Sequence, residues 1–86
     1  MEVRFHKDFK KGYFKLSLKQ QEKVDQVLRW FRMNPNNPIL KNHALKGDQE
    51  GNRAISAGGD LRLVFREEGN YSVVLFIRVG THNQVY

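Results

Sequence analysis

Apolar and polar positions follow two periods along this chain. Residues 1–5, "MEVRF", alternate, with Val3 and Phe5 on one side, and predict a short strand. In "HKDFKKGYFKL" (6–16) Phe9, Tyr13 and Leu16 recur at helical spacing. That segment reads as a short helix, which Gly12 weakens by about 1 kcal/mol relative to alanine. The strongest helical signal is "SLKQQEKVDQVLRWFRMN" (17–34). Leu18, Val24, Val27, Leu28 and Phe31 form an apolar stripe there. Ser17 and Gln20 make an S-x-x-Q capping box, and Asn34-Pro35 stops the helix, because the residue before proline avoids the α region. Trp30 falls beside the stripe and reads as a flank of the core rather than a base-stacking platform.

From residue 35 the period changes. "PNNPILKNHALKGDQEGN" reads as a loop-rich connector, pinned to the core by Leu40 and Leu45. Arg53 to Ser56 predicts a short strand and "AGGD" a turn. "DLRLVFRE" alternates, with Leu61, Leu63 and Phe65 on one face and Arg62, Val64 and Arg66 on the other. "EGN" is a tight turn before the most apolar stretch, "YSVVLFIRV", so the last two strands predict a hairpin. The final "GTHNQVY" reads as a short polar tail. The expected order is β-α-α-β-β-β in one domain spanning 1–86. Helices and strands are segregated, which predicts an α+β fold with two N-terminal helices packed on one face of a twisted, mainly antiparallel sheet.

Composition narrows the function. The chain has no cysteine, so disulfides, thiolate metal sites and cysteine nucleophiles are excluded, and a reducing cytoplasm is the expected location. No apolar run approaches the ~18 residues of a membrane span, and the charged N-terminal residues do not read as a signal peptide, so no membrane partner is expected. Fifteen Lys and Arg stand against nine Asp and Glu, a formal charge of +6. This excess favours polyanionic partners: RNA, DNA, an acidic protein or an anionic membrane.

Three histidines, His6, His43 and His82, are the candidate titrating groups. His6 reads as a surface residue. Each of the other two, taken alone, reads as a solvated loop histidine, and three scattered histidines without cysteine do not make a zinc site. No metal and no cofactor is therefore expected. Together with the basic charge, the loop histidines suggest RNA cleavage by the RNA's own 2′-hydroxyl. That reaction needs a general base, a general acid and positive charge at phosphorus. His43, Asp60, Arg62 and His82 supply these parts if the fold brings them together.

The stretches "KNHALKG" (41–47), "GNRAIS" (51–56), "DLRLVF" (60–65) and "RVGTHNQVY" (78–86) make the chain resemble the RelE/ParE toxin superfamily, and within it the YafQ-like branch. The resemblance implies a microbial ribonuclease-like fold. It also implies cleavage of messenger RNA in the ribosomal A site, beside the 16S RNA, and neutralisation by a cognate antitoxin. It assigns His43, Asp60, Arg62, His82 and Tyr86 to catalysis. Lys46, Arg53, Ser56 and Arg78 are expected to bind the RNA or its phosphates. The YafQ-like pattern has a further histidine where this chain has Ser56, which cannot shuttle a proton at neutral pH. Two other readings follow from the same superfamily: a ParE-like inhibitor of DNA gyrase without nuclease chemistry, and an inactive RNA-binding relative.

Overall fold

The computed structural model describes residues 1–86. Strand β1 (Glu2–Phe5) leads into α1 (Lys7–Lys15) and α2 (Leu18–Met33). Strands β2 (His43–Ala44), β3 (Arg53–Ser56), β4 (Leu61–Glu68) and β5 (Val73–Thr81) follow, and helix α3 (His82–Val85) ends the fold. One-turn 3-10 helices, Pro38–Leu40 and Gly47–Gln49, flank β2. The sheet order is β1-β5-β4-β3-β2. Only the β1–β5 pairing is parallel. The α+β architecture and mainly antiparallel sheet are as the pattern predicts. Two elements are additions: β2 inside the expected connector, and α3 in place of the expected polar tail.

Local chemistry explains the helix ends. In α1 the His6 Nδ1 accepts a hydrogen bond from the Asp8 N–H at 3.0 Å, capping the first turn. Both halves of the Ser17–Gln20 capping box form at the start of α2. Within α2, Val24, Val27 and Phe31 are buried, but Leu18 is 78% exposed. At about 100° per residue, Leu18 lies on the opposite side of the helix from that stripe, so it does not join the core.

Phe9 of α1, Val24, Val27 and Phe31 of α2, and Ile55, Leu63, Phe65, Val74, Phe76 and Val79 of the sheet share one cluster. Both helices therefore cover the same face. Phe31 sits at its centre, with ring centroids 5.1 Å from Phe65 and 5.2 Å from Phe76. A bulge in β5 keeps this face apolar. Leu63 pairs with Val79 but Phe65 pairs with Phe76, which leaves Ile77 as the extra residue. Without it, Phe76 and Val79, three positions apart, would face opposite sides.

The second face is partly covered by α3 and the Gly47–Gln49 turn. Ala54, Val64 and Val85 are buried there, outside the main cluster. Gly80 makes this possible: a Cβ at that position would stand 2.6 Å from Gln84 Oε1 and 3.4 Å from Val85 Cγ1. No helix is long and apolar enough to cross a membrane.

Candidate functional site

Strand register arranges the open face into rows. His43, Ala54, Val64 and Arg78 are successive partners across β2, β3, β4 and β5. Ser56, Arg62 and Gly80 form the next row. Their side chains share the face away from α1 and α2, because the alternate residues Ile55, Leu63 and Val79 fill the core. Helix α3 lies over Gly80 and brings His82 and Tyr86 to this face.

Asp60 and His82 are joined through the backbone: the His82 N–H donates to the Asp60 carbonyl at 3.0 Å. This bond ties the β3–β4 turn to the first turn of α3. The His82 and Tyr86 rings meet edge to face, with centroids 4.3 Å apart at 69°. Burial pushes the Tyr86 phenol above its ordinary pKa, and the nearby Arg62 guanidinium pulls it partly back. The phenol therefore stays protonated at neutral pH and can donate a hydrogen bond. Arg62 Nη1 donates to the carbonyls of Gly59 (2.9 Å) and Leu61 (3.0 Å) and to Ser56 Oγ (3.3 Å). Its other N–H groups make no bond within the protein. Ser56 Oγ also accepts the Gly58 N–H at 3.2 Å. At the position where the resemblance implies a histidine, the hydroxyl thus braces the turn and holds Arg62.

His43 stands on the far side of the face. Counting strand spacings, its backbone is about 14 Å from that of Arg78. Its Nδ1 is 2.9 Å from the Lys41 carbonyl. A carbonyl only accepts, so Nδ1 carries the proton and the neutral ring offers Nε2 as a base. Lys41 itself has a left-handed backbone, φ 52°, which turns that carbonyl toward the ring.

The structure does not gather every expected residue. Arg53 pairs with Phe65, so its side chain leaves the sheet on the helix face. There its Nε donates to Asn42 Oδ1 at 2.9 Å, and Asn42 in turn donates to the Tyr71 hydroxyl. The expectation that Arg53 contacts phosphate on the open face is corrected by this alternation. Lys46 is exposed at the start of the Gly47–Gln49 turn, and its side chain makes no capping bond. Arg78 is on the open face, but its Nη2 donates to Gln49 Oε1 at 2.8 Å. Gln49 also donates to the Val85 carbonyl at 3.1 Å. It fastens α3 to the sheet and aims Arg78. A lone glutamine in a polar loop carries no sequence pattern that would have marked it.

This fold is that of known bacterial toxins. E. coli YafQ from strain BL21(DE3) superposes with a TM-score of 0.81 at 21% identity, covering 99% of this chain and 97% of that one. A YoeB/ParE toxin from Agrobacterium tumefaciens gives 0.78 at 21% identity, covering 95% and 99%. The toxin in an E. coli DinJ–YafQ complex gives 0.74 at 22% identity, covering 99% and 97%. Comparison with curated proteins finds no match. The sequence itself is more specific than the fold: residues 1–86 match the family described as "Bacterial toxin of type II toxin-antitoxin system, YafQ", and the chain belongs to that family.

Proposed function

We propose that this toxin is an endoribonuclease that cuts messenger RNA on the ribosome without a metal ion. It acts in the cytoplasm and is restrained by a cognate antitoxin, as the DinJ–YafQ complex suggests for its E. coli relative. The observation that carries the reading is one open face bearing Arg62, His82 and Tyr86 at one side, with Asp60 in the adjoining turn, and His43 at the other.

Laid between them, an RNA phosphodiester has one imidazole on each side. In-line attack and departure require base and acid on opposite sides of phosphorus. The proton on His43 Nδ1 leaves Nε2 free to take the 2′-hydroxyl proton. As the 2′-oxygen bonds to phosphorus, His82 gives a proton to the departing 5′-oxygen. Asp60 is held beside His82 by the hydrogen bond from the His82 N–H to its carbonyl. Arg62, braced by Ser56 and the β3–β4 turn, supports the extra negative charge on the phosphoryl oxygens. Tyr86 donates to the phosphate or stacks on a base. Arg78 adds positive charge one row away.

The reaction leaves a 2′,3′-cyclic phosphate and a 5′-hydroxyl. The test is induction in bacteria, followed by end analysis of the cut message. Wild type arrests growth and yields those ends; His43→Ala and His82→Ala each lose at least about 100-fold in cleavage. Arrest that needs neither histidine, or arrest with intact message and damaged DNA, rejects the assignment; the latter is the outcome a gyrase inhibitor gives. No arrest from wild type indicates an inactive relative.

A further inference from the structure

A cleft of about 390 Å³ opens beside the proposed active face. One wall is a stripe of α2 made by Lys23, Gln26, Val27 and Trp30, which recur at helical spacing. The opposite wall is the β3–β4 turn, Ser56 to Gly59, and Ile39 and Lys41 close one end. Arg62 lines the cleft too, so Ser56 and Arg62 belong to both places.

Its chemistry differs from that of the neighbouring clefts. Lys23, Lys41 and Arg62 supply three positive charges, and no acidic side chain lines it. The cleft between α1 and the end of β5 contains Asp8, and the apolar groove between α1 and α2 contains Asp25. None of the three cations is in an ion pair. Low-dielectric walls focus such an uncompensated field on an anion. Trp30 packs against the core on one side and faces the cleft on the other. A planar indole in a cationic cleft is a stacking platform for an unpaired base. The turn opposite presents Gly58 and Gly59, with φ of +89° and +51°; the Lys23 ammonium reaches across to 3.8 Å from where a Gly58 Cβ would stand, and the space beside Gly59 is open.

We propose that this cleft is a second nucleotide subsite for single-stranded RNA. One unpaired base lies on Trp30, its phosphate between Lys23 and Lys41, and the strand continues past Arg62 to the scissile bond. The volume is within the range of small-ligand sites, so it takes a nucleotide rather than a duplex. A duplex also keeps its bases stacked on each other and offers none to Trp30. The inference rests on the nuclease reading for its direction, but its test does not.

Trp30 is the only tryptophan, so its emission reports on this cleft alone. The experiment titrates the His82→Ala variant, which leaves RNA intact, with a short single-stranded oligoribonucleotide of mixed sequence bearing a terminal fluorophore. Anisotropy and Trp30 emission are read together; the same sequence as a duplex is the control. The expected result is saturable quenching by the single strand that tracks the anisotropy, with little quenching by the duplex. Lys23→Ala with Lys41→Ala should weaken binding about tenfold and lower the slope of log affinity on log salt by about 0.7 per lysine. Binding seen by anisotropy without a change in Trp30 emission overturns the proposal. So does an unchanged affinity and salt slope in the double variant. Quenching by polyglutamate but not by RNA overturns it in favour of an acidic protein segment. Loss of message cleavage in the histidine variants is a separate readout, so failure of the nuclease reading is distinguishable from failure of this one.

Discussion

At the residue scale, Gly12 shows how a local rule and a tertiary contact conflict. By propensity alone, alanine in the middle of α1 gains about 1 kcal/mol. In the fold, a Cβ on Gly12 would lie 2.6 Å from the Val79 carbonyl oxygen and 3.3 Å from Val79 Cγ1. That oxygen is backbone in β5 and cannot swing aside. Overpacking of this kind costs about 1–3 kcal/mol, which exceeds the propensity gain. Gly12→Ala is therefore expected to destabilise, read as a lower urea midpoint at unchanged m-value. A rise in the midpoint would show that α1 lifts from β5 at little cost. The sequence marks Gly12 as a weak point in a helix; only the approach of α1 to β5 reveals why it is there.

At the element scale, α1 and α2 are joined by the Tyr13 hydroxyl, which donates to Asp25 Oδ1 at 2.7 Å. Tyr13 also belongs to the apolar stripe expected of α1, so its ring serves the core and its hydroxyl serves the helix pair. The hydrogen bond to Asp25 raises the Tyr13 phenol above its ordinary 10.0, with burial and the Asp25 charge acting in the same direction. Ionisation is thus harder in the folded chain than in the unfolded one. The stabilisation is fully present below pH 10.0 and is lost as pH rises through the folded value. Tyr13→Phe should cost about 1 kcal/mol at neutral pH, and the difference from wild type should shrink in alkali. Urea unfolding at both pH values checks this; a difference independent of pH would assign the loss to packing instead. Strand β2 and helix α3 belong to the same scale. Both are too short for periodicity to register. The first exists because His43 and Ala44 pair with the edge of β3, and the second because Thr81 and Gln84 form a capping box over Gly80.

At the scale of the whole molecule, the aromatic centre decides stability. Phe31 is fully buried and meets Phe65, Tyr71 and Phe76 with ring centroids between 5.1 and 5.9 Å. It joins α2 to β4 and β5. Phe31→Ala removes that junction and should cost about 3–5 kcal/mol, a large part of what a domain of this size has. The expected outcome is a chain largely unfolded at 37 °C by circular dichroism, whereas a truncation at exposed Leu18 should change little. A cooperative, native-like transition in the Phe31 variant would mean that the cluster collapses to fill the space.

The sequence by itself determined the two N-terminal helices, the long hairpin, the core face and the family, because each is encoded by local periodicity, capping residues or motifs in chain order. It also named most residues of the open face. Tertiary structure decided which of them meet. The β-sheet alternation turned Arg53 to the opposite side, since strand faces follow register and not residue type. Long-range hydrogen bonds from His82 to Asp60 and from Gln49 to Val85 and Arg78 fixed α3 on the sheet. Trp30, read from the sequence as a flank of the core, became in addition the wall of a cationic cleft. That role depends on Lys41 and Arg62 arriving from distant parts of the chain, which no one-dimensional pattern records.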